Sequence, residues 1–231
     1  MARGKYLAKS LVNLPVIYLK RKIFCISMQR TGTTSVGDFL SRHGYRVARY
    51  EDSMRNNWTY LWSIGNYKKI FNSIAFHSYQ AYEDDPWWMP DFYKYLFHKF
   101  PKSKFILFHR NSDKWFDSMA RHTGGKTLGN TRIHSRIYRR MGDFYKALDS
   151  DKGFKPTEYE VDNLFTINDY REHYIKVYEE YNREVMEFFD RFDKKRLFVA
   201  DLDDKLKWVN LGSFLKLSID KDYEVHSNKS I

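Results

Sequence analysis

The sequence predicts an α/β fold, with a P-loop-like parallel sheet and helices on both faces in a single domain, and three observations support this prediction. Short apolar runs at residues 23–26 and 104–108 are typical of buried parallel strands. Amphipathic segments with helical spacing separate these runs. The chain of 231 residues is long enough to bury a substantial core. Strands that alternate with helices form α/β domains.

The elements follow in chain order. Strands are predicted at residues 23–26, 44–48, 74–77, 104–108 and 196–200. Helices are predicted to begin after residue 34, at Pro90 and after Asn111, and to cover residues 132–148, 167–192 and 205–217. Residues 55–70 are expected to be irregular to helical, and 149–165 to be a polar connection. Residues 23–217 form the predicted domain, followed by a frayed tail at 218–231.

The charge balance predicts an anionic partner. The chain has 40 Lys and Arg against 29 Asp and Glu, a net charge of +11. Such a balance favours nucleotides, sulfated or phosphorylated substrates, nucleic acid or acidic membranes. We expect no nucleic acid partner, because the sequence contains no motif that recognises one. The sequence does not predict the oligomeric state.

Residues 1–22 form a basic N-terminal arm that has six Lys and Arg and no acidic residue. Its apolar run at 11–19 is too short to span a bilayer. Two interpretations are open: peripheral contact of the arm with an anionic membrane, or a surface helix packed on the domain, which we favour. The single cysteine, Cys25, cannot form an internal disulfide, and a cytoplasmic location is expected.

The turn after the first strand has the composition of an anion-binding loop. It reads RTGTTS from Arg30 to Ser35 and joins the strand to a helix N-terminus, where backbone N–H groups attract anions. Gly32 lets the backbone approach a ligand closely. Thr33 and Thr34 supply hydroxyl donors, and Arg30 adds a permanent positive charge. The alternative is an ordinary turn with a threonine cap. No lysine follows the glycine, so this is not the ATP-binding motif.

A second phosphate motif follows the strand at 104–108. The strand ends at Arg110, and Ser118 lies eight residues later on the predicted helix. A cation at a strand end attracts phosphate and repels Mg²⁺, whereas a kinase normally places an aspartate there. A surface ion pair of Arg110 with Asp113 or Asp117 is the alternative.

Together the two motifs resemble those of the 3′-phosphoadenosine 5′-phosphosulfate (PAPS)-dependent sulfotransferase family, in its branch with an RTGTTS loop. The resemblance implies PAPS as sulfuryl donor, no metal, and a hydroxylated acceptor that is a carbohydrate, a lipid or a small molecule. It implies that Arg110 and Ser118 bind the 3′-phosphate. It also implies that the 5′-phosphosulfate is bound by Arg30, Thr31, Gly32, Thr33, Thr34 and Ser35. Cytosolic sulfotransferases have lysine where Arg30 stands, so this residue is expected to neutralise charge but not to donate a proton.

A base is needed to take the proton of the acceptor hydroxyl. The candidates for this catalytic role are Glu51 and Asp52 after the second strand, His77, and Asp84 or Asp85. Asp84 leads because residues 84–86 match the family's Asp-x-Pro pattern. A capping or solvated side chain is the alternative for each. Two other functions stay open: a non-catalytic nucleotide-binding protein of the same fold, and a small-molecule kinase that requires Mg²⁺.

Overall fold

The computed structural model describes residues 21–124, 132–149, 154–155, 160–161, 167–225 and 227. The strands are β1 (Ile23–Cys25), β2 (Val47–Ala48), β3 (Ala81–Tyr82), β4 (Lys104–His109), β5 (Phe154–Lys155), β6 (Glu160–Val161) and β7 (Leu197–Asp201). The α-helices are α1 (Thr33–Arg42), α2 (Tyr50–Arg55), α3 (Trp58–Ser63), α4 (Tyr67–Phe71), α5 (Ile74–His77), α6 (Phe92–Lys99), α7 (Ser112–His122), α8 (Arg132–Ile137), α9 (Met141–Asp149), α10 (Arg171–Phe192) and α11 (Lys207–Leu215). The predicted basic arm, except for its last two residues, lies outside the described residues.

Five strands form one parallel sheet in the order β2-β3-β1-β4-β7. The central strand β1 pairs on one side with β3 and on the other with β4, where Cys25 lies opposite Ile106. This arrangement confirms the predicted α/β class. It also places the segments that follow each strand at a common edge, which is where such sheets bind ligands.

Helices cover both faces of the sheet, as predicted, because successive side chains of a strand point to opposite faces. Cys25 joins a buried cluster with α1 and α11, which includes Phe39 and Trp208. On the other face, the Phe24 ring lies 5.8 Å from the Phe100 ring after α6. Cys25, Phe39, Trp208 and Phe24 are completely or almost completely buried, so both faces of the sheet are apolar.

Residues 74–77 form helix α5, and the prediction of a strand there was wrong. The hydroxyl of Ser73 accepts a hydrogen bond from the Phe76 N–H at 3.1 Å, which caps the helix. The strand that pairs with β1 is β3, which begins at Ala81. The apolar run 74–76 therefore reflects one turn of helix, of which only Phe76 is buried, rather than a strand.

Two further expectations are corrected. The predicted helix at 132–148 is divided into α8 and α9, and Arg139 between them adopts a left-handed φ of 56°. The tail is not frayed over its described part, because Val225 is buried against the sheet cluster and Ile219 packs on Gly212.

The chain divides into two compact units, one of residues 1–109 and 188–231, the other of residues 110–187. The first contains the parallel sheet. The second contains α7, α8, α9, the antiparallel pair β5–β6 and most of α10. In the described part of the chain, no helix is long and apolar enough to cross a membrane.

Candidate active site

The turn between β1 and α1 has an unusual backbone conformation. Arg30 and Gly32 both adopt a left-handed φ, of 67° and 83° respectively. Between them Thr31 is fully buried, and its hydroxyl donates to the Met28 carbonyl. The left-handed φ is what requires glycine here, since the Leu202 Cδ1 that would lie 2.7 Å from an added Cβ belongs to the end of a flexible side chain.

Among the described residues, no side chain caps the start of helix α1. Gly32 is the N-cap residue and makes no side-chain cap, so neither threonine of the turn plays the alternative capping role. The first N–H groups of a helix have no partner within it, and they carry partial positive charge. Thr33 and Ser35 are almost completely buried in this first turn, and Thr34 is half-buried. The turn therefore has the features of an anion site.

Arg49, which follows β2, is a site residue that the sequence analysis did not assign. Its guanidinium donates to the Thr34 carbonyl at 3.2 Å and to Asp38 Oδ1 at 2.8 Å, and lies 3.5 Å from Glu83 Oε1. A Cβ at Gly37 would lie 2.3 Å from Nη1, so this glycine makes room for the guanidinium. A glycine inside a predicted helix was the one sequence signal for this contact.

Three successive carboxyl groups follow β3: those of Glu83, Asp84 and Asp85. Burial raises the pKa of Glu83 to about 8, the charges of Asp84 and Glu51 add to the effect, and Arg49 opposes it. Burial also raises the pKa of Asp84 and of Asp85. Among the described residues, Oε2 of Glu83 is buried and has no hydrogen-bond partner. Such carboxyl groups can exchange protons near neutral pH.

Of the candidate bases, the structure brings Glu51 close enough to Asp84 to affect its pKa. Glu51 is exposed at the start of α2, and its negative charge contributes to the raised pKa of Asp84. His77 ends α5 and lies before the amino end of β3, where burial and the charge of Lys22 lower the pKa of its imidazole. Lys22 immediately precedes β1. His77 therefore lies at the opposite edge of the sheet from the turn, and we do not assign it a catalytic role.

The raised pKa of Glu83 predicts a pH-dependent stability. Because the folded-state pKa of about 8 lies above the unfolded value near 4.5, folding favours the protonated carboxyl. This contribution is complete below pH 4.5 and is lost as the pH rises through 8. Glu83→Gln, which is neutral throughout, should therefore reduce the loss of unfolding free energy between these pH values by a few kcal/mol, to order of magnitude.

Urea denaturation at several pH values measures this effect. The unfolding free energy of Glu83→Gln should still fall somewhat as the pH rises, because the pKa values of Asp84 and Asp85 are raised too. Glu224→Gln is the matched control, since this carboxyl is exposed. If the unfolding free energy of Glu83→Gln fell with pH as steeply as that of wild type, the raised pKa of Glu83 would be contradicted.

In the second compact unit, the backbone of Arg110 is held by Tyr178. The Arg110 N–H donates to Tyr178 Oη at 2.9 Å, and that hydroxyl donates to the Arg110 carbonyl at 3.2 Å. The Tyr178 ring also stacks on Trp115, with ring centres 4.3 Å apart. Within the described residues, Nε of Arg110 is buried without a hydrogen-bond partner. Ser118 is buried on α7, one turn beyond Trp115.

The two acidic residues that could have paired with Arg110 bind another arginine. Asp113 and Asp117 accept hydrogen bonds from Arg171 at 2.8 and 2.7 Å. The alternative of a surface ion pair between Arg110 and these two carboxylates is therefore wrong. A buried guanidinium nitrogen without a partner in the described residues is suited to an anionic ligand.

A comparison with protein families matches residues 22–230 to the sulfotransferase domain. The chain belongs to the sulfotransferase family. Among solved structures, the crystal structure of a sulfotransferase from Alicyclobacillus acidocaldarius is 14% identical, with a TM-score of 0.49 over 90% of this chain and 87% of that one. No curated protein matches the chain. As a member of this family, the protein is a transferase whose reaction requires an acceptor.

Over the described ranges of this sulfotransferase domain, no three His, Cys, Asp or Glu side chains form a group that could hold a metal ion.

Proposed function

We propose that the protein transfers a sulfuryl group from PAPS to a hydroxyl of its acceptor. Membership of the family supports sulfuryl transfer. The conformation of the turn supports the choice of donor, because left-handed Arg30 and Gly32 lead directly into the uncapped start of α1. This is the observation on which the proposal depends, since a dianionic 5′-group needs several fixed donors converging on one place.

The proposed donor contacts use two sets of residues. Arg30 to Ser35 would bind the 5′-phosphosulfate through the first-turn N–H groups, the hydroxyls and one guanidinium. Arg110 and Ser118 would bind the 3′-phosphate. Nε of Arg110, which is buried with no hydrogen-bond partner among the described residues, supports this assignment. Arginine suits the role because its guanidinium stays charged and matches phosphate geometry.

The proposed reaction is a single displacement at sulfur. The acceptor oxygen attacks, a new S–O bond forms, and the bond from sulfur to the bridging phosphate oxygen breaks. Negative charge then grows on the nucleotide phosphate, where Arg30 and the α1 N-terminus would stabilise it. The hydroxyl proton would pass to the carboxylate of Asp84. The raised pKa of Asp84 suits this step, because a base works best when its pKa lies near the working pH.

Nucleotide binding tests the proposal. We expect calorimetry to show tighter binding of adenosine 3′,5′-bisphosphate than of ATP, and no dependence of that binding on Mg²⁺. Arg110→Ala should reduce the preference for adenosine 3′,5′-bisphosphate over adenosine 5′-monophosphate at least tenfold, since a charged hydrogen bond contributes about 1.5–3 kcal/mol. The matched control is Arg121→Ala, an exposed arginine near the end of α7, the helix that follows Arg110.

Three results would contradict the proposal in different ways. Preference for ATP with Mg²⁺ would indicate a kinase. Retained binding without sulfate release over a broad panel of hydroxylated acceptors would indicate a non-catalytic nucleotide-binding protein. An unchanged nucleotide preference in Arg110→Ala would remove this residue from the 3′-phosphate site.

A further inference from the structure

The segment that follows α11 returns to helix α1. The Tyr223 ring meets the Phe39 ring edge-on at 5.7 Å, and Val225 is buried in the same cluster. Two residues later, the backbone N–H of Ser227 donates to Ser35 Oγ at 3.0 Å. The Ser227 hydroxyl donates to Asp38 Oδ2. The tail is thus attached to the first turns of α1 by one backbone and one side-chain hydrogen bond.

The hydrogen bond from the Ser227 N–H restricts the direction in which the Ser35 hydroxyl can donate its hydrogen. A serine hydroxyl has one hydrogen to donate and two lone pairs to accept with. The Ser227 N–H occupies an accepting position, so the hydrogen of Ser35 is directed away from the tail. Ser35 is almost completely buried, and a buried hydroxyl held in this way is pre-organised as a donor.

The hydrogen bond from the Ser227 hydroxyl connects the tail, through Asp38, to the carboxyl groups that follow β3. Asp38 accepts from Ser227 through Oδ2 and from Arg49 through Oδ1, and Arg49 lies 3.5 Å from Glu83. Although partial burial opposes it, these two hydrogen bonds hold the pKa of Asp38 below its usual value. A continuous series of polar contacts therefore joins the turn residue Ser35 to the carboxyl groups after β3.

From these contacts we infer that Ser227 is a positioning residue for the 5′-phosphosulfate site. Its N–H orients the Ser35 hydroxyl toward the nucleotide, and its own hydroxyl, bound to Asp38, keeps the tail in place. The inference rests on the proposed function, because it assigns the ligand of Ser35. It adds a residue from the far end of the chain, 192 positions from Ser35, to the donor site.

The test compares two nucleotides that differ only at the 5′ position. Ser227→Pro removes the N–H, and it should weaken binding of adenosine 3′,5′-bisphosphate two- to tenfold, the range for one hydrogen bond. Its binding of adenosine 3′-monophosphate should not change, because that ligand has no 5′-phosphate. Ser227→Ala keeps the N–H and loses only the hydroxyl that holds the tail to Asp38, so it should weaken binding of the bisphosphate less than Ser227→Pro does. Ser35→Ala should match Ser227→Pro, and the double variant should lose no more than either single one.

The outcomes separate this inference from the proposed function. If wild type does not bind the bisphosphate, both are overturned. If wild type binds it and Ser227→Pro binds it equally well or more tightly, only the positioning role is overturned. Equal weakening toward both nucleotides would also overturn it, since that indicates a general structural defect.

A second measurement does not require the proline variant to fold. Hydrogen exchange of the Ser227 amide should slow when the bisphosphate binds to wild type, because the ligand orders the Ser35 hydroxyl that accepts from it. In Ser35→Ala the ligand should leave this exchange rate unchanged. An equal response in the two proteins would overturn the inference.

Discussion

Replacing Arg30 with alanine is expected to lower kcat about 100- to 1,000-fold, the usual effect of removing one fixed donor from developing negative charge. The reason is the position of Arg30 in the turn before α1, where its charge would neutralise the departing phosphate. The KM for PAPS should change less than kcat, since the charge on the bridging oxygen is greatest in the transition state. Initial rates with PAPS and a hydroxylated acceptor measure the effect.

Arg30→Gly makes this experiment specific to the side chain. Because Arg30 has a φ of 67°, glycine should relieve backbone strain, and thermal stability should be equal to or greater than that of wild type. The loss of kcat should nevertheless match that of the alanine variant. Wild-type kcat in either variant would show that Arg30 does not stabilise the leaving group.

Asp84→Asn is expected to lower kcat about 100- to 10,000-fold, because the variant cannot accept the proton of the acceptor hydroxyl. Asparagine is well suited to the left-handed φ of 65° at this position, so the fold should be retained. In wild type, kcat should rise with pH through the raised pKa of Asp84, and this rise should be absent from the variant. A pH–rate profile measures both effects.

Two other replacements are the controls for Asp84. Glu51→Gln removes a charge that raises the pKa of Asp84, so it should shift the pH–rate profile to lower pH and leave its maximum little changed. His77→Gln should leave the profile unchanged, because His77 lies at the opposite edge of the sheet. A large loss in His77→Gln with none in Asp84→Asn would reverse the assignment of the base.

Much of the fold could be predicted because buried parallel strands have a simple sequence pattern. The runs around Phe24 and Phe105 are apolar on successive residues, as strands covered on both faces must be. The strand at 74–77 was predicted wrongly because four apolar or aromatic residues do not distinguish a strand from one turn of helix. The cap from Ser73 decided between them.

The site was only partly predictable. The turn from Arg30 to Ser35 and the pair Arg110 and Ser118 stand out because each is a local motif. Arg49 and Ser227 do not, because their partners come from segments that are distant in sequence. Neither residue has a pattern of its own, and only packing against α1 reveals what each contacts.

By itself, the sequence determined the class of fold, the excess of positive charge and the two motifs that resemble sulfotransferases. Only the tertiary structure decided which carboxyl groups lie beside the turn, and it showed that His77 lies at the opposite edge of the sheet. It also revealed that Arg49 and the tail contact α1. The physical reason is that strand and turn propensities are set by neighbouring residues. Burial, pKa and hydrogen-bond partners are set by segments that come together only when the chain folds.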